Sequence, residues 1–258
     1  MIAVSGGADS VCLLHVLKNI ETKYPKVELI AVTIDEGIVG YRDGALKLAQ
    51  ENAKRVGVDF SVVSFKELYT ASLDELVTNS AGKKGALKPC SICGILRRKA
   101  INIAAQELEA DRVATGHNLD DEAQTVLLNL LRGDILHLAR LNTPIQKHKK
   151  LIPRVKPLEN IPEPEIPLFL YVNEIRYHTF RCPYAEDAMR TDIRQFLYRQ
   201  EQKHPGTLHG ILRSFEKIQP VLQQSMGAEE IRLCKICSEP SVSEICKACQ
   251  ILEKENFA

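Results

Sequence analysis

Met1-Ile2-Ala3-Val4-Ser5-Gly6-Gly7-Ala8-Asp9-Ser10-Val11-Cys12-Leu13-Leu14 opens the chain, and its reading decides the fold. The apolar residues 1–4 read as the tail of a buried strand. Residues 9–20 read as a helix with Val11, Leu14, Leu17 and Ile20 on one side. The two glycines between them let the backbone approach a ligand closely. The helix that follows turns free N–H groups and its positive dipole end toward an anion. Ser5 and Ser10 add hydroxyl donors. Ser5, Gly6, Gly7, Asp9 and Ser10 are therefore candidate phosphate-binding residues. The spacing is neither Gly-x-x-x-x-Gly-Lys-Ser/Thr nor Gly-x-Gly-x-x-Gly, which argues against a kinase-type phosphate loop and a dinucleotide site. The plain alternative is an ordinary tight strand-to-helix turn.

Working outward, strand patterns at 28–34, 58–65 and 112–115 alternate with helix patterns at 41–56, 91–108 and 120–131. Gly57 and Gly133 close two of these helices. Such alternation predicts an α/β fold with a doubly wound parallel sheet. Residues 143–167 change character, with six prolines and the cations Lys147, Lys149, Lys150, Arg154 and Lys156. They read as an extended loop over the sheet's end. Helices are expected at 168–176, 187–202 and 208–224. One catalytic domain over 1–225 and a small cysteine module over 230–258 account for the chain.

At 258 residues, 45% apolar and 26% charged, the composition is that of an ordinary globular protein. A net charge of +1 confines any nucleic-acid site to a local patch. No apolar run reaches the roughly 18 residues of a membrane span. No leader is visible ahead of the glycine loop, so a cytoplasmic location is expected.

Eight cysteines stand at 12, 90, 93, 182, 234, 237, 246 and 249. Their Cys-x-x-Cys spacing favours metal or redox chemistry over disulfides. Cys234-Lys235-Ile236-Cys237 and Cys246-Lys247-Ala248-Cys249 form two knuckles eight residues apart, the pattern of a tetrahedral zinc site. So short a module needs that staple to fold. Cys12 sits in an apolar helix and reads as core. Cys90, Cys93 and Cys182 leave more open. They suit an iron–sulfur cluster, the more so with Pro183 after a ligand. They also suit a zinc site short of one ligand, a redox pair with a persulfide, or unrelated buried thiols.

Two further runs complete the picture. Ile34-Asp35-Glu36-Gly37-Ile38-Val39-Gly40-Tyr41-Arg42 follows the second strand and puts Asp35 at the ligand crevice. Thr115-Gly116-His117-Asn118-Leu119-Asp120-Asp121-Glu122-Ala123 follows the fourth, where Asp120 can cap a helix and Asp121 can hold Mg2+.

With these runs, the glycine loop resembles the pyrophosphate loop of the PP-loop ATP pyrophosphatases, an adenine nucleotide alpha hydrolase-like fold. Nearly the whole chain is similar to the tRNA 2-thiouridine synthetases of the TtuA and archaeal NcsA type, relatives of the cytosolic tRNA thiouridylase. The resemblance implies that ATP adenylates the 2-oxygen of a tRNA uridine and is split into AMP and pyrophosphate; the target is the wobble uridine for archaeal and eukaryotic relatives and the T-loop uridine for thermophilic bacterial ones. It implies a 4Fe–4S cluster on Cys90, Cys93 and Cys182, whose open iron binds sulfide and delivers it. It assigns Gly116 and His117 to the nucleotide site. Family members carry Lys or Arg at the position of Arg97, so Arg97 is expected to meet the phosphates and supply the charge that Ala8 omits. Arg98 and Lys99 are expected to meet RNA, together with Arg132, Arg140 and the cations of 147–156. The implied partners are tRNA, a second copy of the chain, and a ubiquitin-like thiocarboxylate carrier or free sulfide as sulfur donor. The family's zinc ribbon ahead of the loop is expected to be absent, because four residues precede Ser5. Lysidine synthesis on the same loop, or an RNA-binding zinc protein with a vestigial ATP site, are the competing functions.

Overall fold

The computed structural model describes residues 1–83, 85–141, 150–185, 188–226 and 231–255. Five parallel strands form the sheet: β1 (Ile2–Ala3), β2 (Ile30–Asp35), β3 (Asp59–Ser64), β4 (Val113–Ala114) and β5 (Arg154–Val155). Their order is β3-β2-β1-β4-β5, with every neighbouring pair parallel. The chain winds outward from β1 to one side and then to the other. That reversal opens a crevice beyond the carboxyl ends of β1 and β4, where such sheets bind ligands.

Helices cover both faces, as the strand–helix alternation predicts. Helices α1 (Ala8–Glu21) and α2 (Arg42–Val56) pack against one face with α8 (Glu165–Val172). Ile2, Leu13, Leu14, Ala49, Ile166 and Leu170 form that core, and Cys12 lies buried in it. On the other face lie α3 (Phe65–Tyr69), α4 (Leu73–Ser80) and α5 (Pro89–Glu107). Phe65, Leu73, Leu76, Ile92, Leu96 and Ala100 are buried there against Val32 and Ile34. Ser72 and Glu75 close a capping box that starts α4. Beyond β4, α6 (Leu119–Leu131), α7 (Ile135–Arg140), α9 (Ala188–Lys203) and α10 (Thr207–Met226) form a helical layer. Leu119, Ala123, Ile193, Leu197 and Leu208 join them.

Two expectations are revised. Residues 143–167 are not one extended loop, because β5 pairs with β4 at 154–155 and α8 starts at Glu165. Helix α8 begins at Glu165 rather than 168, with Pro164 at its N-cap, and ends at Val172 rather than 176. Proline is well suited to a helix start, since its missing N–H is unneeded there. Residues 142–149, and with them Lys147 and Lys149, lie outside the described residues.

The cysteine module is a two-stranded antiparallel hairpin, β6 (Arg232–Leu233) and β7 (Pro240–Ser241), followed by α11 (Lys247–Lys254). Ala248, Ile251 and Leu252 of α11 are buried in the same cluster as Leu96 and Ala100 of α5. Lys83 and Glu255 add an ion pair at 2.5 Å. The module is thus packed onto the sheet domain.

Candidate functional site

The glycine loop is held from three sides. Gly6 has φ +93°, and a Cβ there would stand 2.3 Å from the Ala45 carbonyl oxygen. Only glycine tolerates both conditions. Its own carbonyl accepts the His178 N–H at 2.8 Å. Ser10 Oγ accepts the Ser5 N–H and donates to the Gly7 carbonyl, both at 3.0 Å, so this hydroxyl shapes the loop from inside. Gly7 is the N-cap of α1, and no side chain caps that helix. The first-turn N–H groups therefore remain for an anion.

The loop after β4 lies directly on the glycine loop. A Cβ on Gly116 would stand 2.9 Å from the Asp9 backbone, which requires glycine for the close approach. Asn118, rather than Asp120, caps α6: its Oδ1 accepts the Asp121 N–H at 2.9 Å, and Asp121 Oδ2 accepts the Asn118 N–H. Asn118 Nδ2 also donates to Asp9 Oδ1 at 2.9 Å, which brings the two acids together across the crevice. Burial raises the Asp9 pKa, and the Asp121 charge raises it further against the Asn118 hydrogen bond. A divalent cation would relieve that cost, so Asp9 and Asp121 fit Mg2+ as a donor pair. Asp120 instead accepts the Glu163 N–H at 2.8 Å. His117 Nδ1 is 3.0 Å from Thr115 Oγ1, and burial lowers its pKa. Asp35 ends β2 and accepts the Gly37 N–H at 2.9 Å.

Sequence reasoning gave no role to Glu36 and Arg42, which prove central. Both are buried. Arg42 donates to the carbonyls of Ser5 (2.7 Å) and Ile34 (2.9 Å) and to Thr33 Oγ1 (2.7 Å). Glu36 meets Arg42 Nε at 2.9 Å through one oxygen and Arg97 Nε at 2.7 Å through the other. Arg97 then donates to Cys93 Sγ at 3.1 Å. An unbroken polar chain runs from the glycine loop to the cysteines. The available signal was a charge pair directly after a buried strand, where uncompensated charges are costly.

Cys90 and Cys93 occupy the first turn of α5, and Cys182 approaches from the segment after α8. Cys93 is buried, Cys182 half-buried and Cys90 exposed. Cys90 Sγ donates to the Tyr184 carbonyl at 2.8 Å, and Tyr184 Oη donates to Asp74 at 2.7 Å, fastening 182–185 against α4. Burial pushes the Cys93 thiol up to about 11, opposed by Arg97, with Cys182 among the charges acting on it. Burial also raises Cys182, and Cys90 contributes. Burial thus keeps Cys93 and Cys182 as thiols, with Arg97 the one group on Cys93 that favours its thiolate, and a bound metal would supply the charge that thiolate ligands need. This donor set fits an iron–sulfur cluster with one iron left open.

The other cysteines form a tight group. The sulfurs of Cys234, Cys237, Cys246 and Cys249 all lie within 4.8 Å of one another. The Cys246 N–H points at Cys234 Sγ (3.2 Å) and the Cys249 N–H at Cys246 Sγ (3.4 Å). Backbone N–H donation to sulfur and four converging thiols suit a zinc ion. Lys99 turns inward, its Nζ 3.7 Å from Cys249 Sγ.

Several cations expected at RNA are engaged within the chain. Lys150 donates to the Ser238 carbonyl and Arg154 to the Arg98 carbonyl, each at 3.0 Å. Lys156 is ion-paired with Glu122 at 2.7 Å. Arg132 and Arg140 also make interactions in the fold.

Residues 1–201 match the PP-loop domain family (ATP_bind_3). The chain is 34% identical to the tRNA 2-thiolation protein NcsA of Haloferax volcanii, over 98% of this chain and 81% of that one. It is 37% identical to cytoplasmic tRNA 2-thiolation protein 1 of Chlamydomonas reinhardtii, over 99% and 71%. Among solved structures it is similar to the U34-tRNA thiolase NcsA from Methanococcus maripaludis with its [4Fe-4S] cluster. The TM-score there is 0.85 at 36% identity, over 98% of this chain and 79% of that one.

Proposed function

The chain belongs to the PP-loop family of tRNA 2-thiolation proteins, and on that premise we propose that it converts a tRNA uridine, the wobble uridine, to 2-thiouridine at the expense of ATP. The observation that carries the reading is the polar chain Ser5–Arg42–Glu36–Arg97–Cys93, which joins an adenylation loop to a three-thiol site. Amide or lysidine formation on the same loop has no use for such thiols.

The residues divide the work. Gly6, Gly7 and the N-terminus of α1 bind the phosphates of ATP, with Ser5 and Ser10 shaping the loop. Asp9 and Asp121 would hold Mg2+, whose charge would offset that of the phosphates. Asp35, Gly116 and His117 border the nucleotide. The uridine 2-oxygen attacks the α-phosphorus of ATP and pyrophosphate leaves. Sulfide then adds at C2 and AMP departs with the former carbonyl oxygen. Cys90, Cys93 and Cys182 hold a 4Fe–4S cluster, and Arg97 orients Cys93. When bound, such a cluster supplies the sulfur-transfer chemistry. Cys234, Cys237, Cys246 and Cys249 hold a structural Zn2+ that fixes α11 on α5. The sulfur source is a ubiquitin-like thiocarboxylate carrier or free sulfide, and the working enzyme is a homodimer in the cytoplasm; these are carried from the family resemblance.

Anaerobically prepared protein, a tRNA transcript, ATP and sulfide test the scheme. The expected products are 2-thiouridine by mass spectrometry, AMP and pyrophosphate. Cys182→Ala should lose iron and thiolation together. Formation of ADP, or a thiolating protein free of iron, would contradict it.

A further inference from the structure

Helices α6, α8 and α9 border an open cleft of about 540 Å³ that none of the residues assigned above to ATP or sulfur lines. That volume is in the range of small-ligand sites, roughly 300–1,000 Å³. Pro164 and Pro167 line it from α8, and Arg194, Tyr198 and Arg199 from α9. Gln195, Glu163, which is ion-paired with Arg194, and Asp120 complete the polar lining.

The rotation of α9 is set by its apolar face. Ile193 and Leu197 are buried against Leu119 and Ala123 of α6. Arg190, Arg194 and Tyr198 then fall on another stripe, four residues apart along the helix. Tyr198 is 59% exposed. Arg190 donates to Thr125 Oγ1 at 2.9 Å. Among the described residues, no hydrogen bond or ion pair holds Arg199. The cleft adjoins the glycine loop, since its Asp120 stands two residues from Asn118, whose Nδ2 donates to Asp9 Oδ1 at 2.9 Å.

An exposed aromatic ring between arginines is the surface chemistry that binds unstacked nucleotides: the ring stacks a base and the cations meet phosphate. Proline rings on the facing helix supply an apolar wall. The carboxylates orient the ligand. Glu163 and Asp120 repel a phosphate and can accept from base N–H groups, so the base end enters and the phosphate stays at Arg199. The expected loop cations Lys150, Arg154 and Lys156 are meanwhile bound within the chain.

We propose that this cleft receives one unstacked nucleotide of the RNA substrate, its base on the Tyr198 ring and its phosphate on Arg199. This rests on the reading of the protein as a tRNA-modifying enzyme, and it adds the element that presents a flipped base beside the ATP loop.

Fluorescence anisotropy of a labelled tRNA transcript with the full chain tests it, alongside the KM for ATP. Tyr198→Ala should weaken tRNA binding about tenfold or more, while Tyr198→Phe stays within about twofold of wild type. Arg199→Ala should weaken binding and reduce the salt slope by about one. The KM for ATP should not move in any of the three. Unchanged tRNA affinity in Tyr198→Ala overturns the slot. So does a raised KM for ATP with intact tRNA binding, which would give the cleft to the adenine of ATP. An equal loss in Tyr198→Phe and Tyr198→Ala overturns the stacking role. Wild-type protein that binds tRNA through Tyr198 yet forms no 2-thiouridine sinks the thiolation reading and leaves the slot standing.

Discussion

Arg97 and Glu36 meet at 2.7 Å, Nε to Oε1, and this contact joins the two halves of the site. The other oxygen of Glu36 holds Arg42, which in turn holds the Ser5 carbonyl of the glycine loop. Glu36 is almost wholly buried, with 4% of its side chain exposed, and a guanidinium group meets each of its two oxygens. Arg97 is thereby committed to a carboxylate and a sulfur. Any contact it makes with ATP phosphates is made from that tether.

Glu36→Gln should therefore act at both ends. Removing the charge leaves Arg42 buried without its counter-ion, a loss of about 3–5 kcal/mol in unfolding free energy. Urea unfolding at neutral pH measures it. The KM for ATP should rise and iron retention should fall in the same protein. A stable Glu36→Gln enzyme with wild-type ATP and iron binding would show that the bridge only fills space.

Gly6→Ala should disable the loop. The new methyl would meet the Ala45 carbonyl oxygen at 2.3 Å on a backbone with φ +93°. Strain of that kind costs about 1–3 kcal/mol. The loop must shift, so ATP-dependent pyrophosphate release should be lost while the overall fold survives. Gly210→Ala in α10 is the control: its Cβ would meet nothing within 4 Å, its backbone is not in the left-handed region, and it lies outside the ATP site. The outcome that defeats the prediction is equal activity of Gly6→Ala and Gly210→Ala.

Metal removal should loosen more than the terminal module. Cys237→Ala, or chelation, should release one zinc per chain. Because Ala248, Ile251 and Leu252 are buried with Leu96 and Ala100, hydrogen exchange should quicken in α11 and also in the facing part of α5. That helix carries Cys90 and Cys93, so iron retention should weaken as well. Exchange confined to residues 231–255 would show that the interface with α5 does not depend on the metal.

Stability should fall as the solution is acidified below neutrality. Burial lowers the pKa of His15, His117 and His178 from an ordinary value of 6.5. Protonation then favours the unfolded chain, whose histidines take up protons first. The stability is complete above pH 6.5 and declines as pH drops through that value toward the lower folded-state pKa values. His15, whose Nε2 is 2.9 Å from Asn52 Oδ1, is the simplest of the three to test. His15→Gln should flatten the dependence of urea midpoint on pH between about 7.5 and 5. An unaltered slope would remove His15 from the account.

Much of the fold was legible because its period was. Alternation of apolar strands with 3.6-period helices announced a parallel sheet with helices on both faces. The glycine loop was legible for a local reason, since strand, two glycines and helix are consecutive in the chain. The four-cysteine group was legible for the same reason, with each pair of cysteines three residues apart. Helices α3 and α4 were less so, because elements of five and eight residues carry too few turns for a period to show. The start of α8 was misplaced because proline reads as a breaker, yet Pro164 caps the helix and Pro167 sits in its first turn.

The sequence by itself determined the doubly wound class, the phosphate-binding loop and the four-cysteine group, all of which depend on neighbours in the chain. Only the tertiary structure decided what Glu36, Arg42 and Arg97 do. Their partners come from the glycine loop, β2 and α5, and a charge in sequence carries no record of which distant group will neutralise it. Tertiary structure likewise brought Cys182 to Cys90 and Cys93, set Asn118 between Asp9 and Asp121, and turned Lys99 inward and Tyr198 outward. The physical reason is common to all: local spacing sets an element's type and its apolar face, whereas burying charges and thiols is a transaction among elements far apart in the chain.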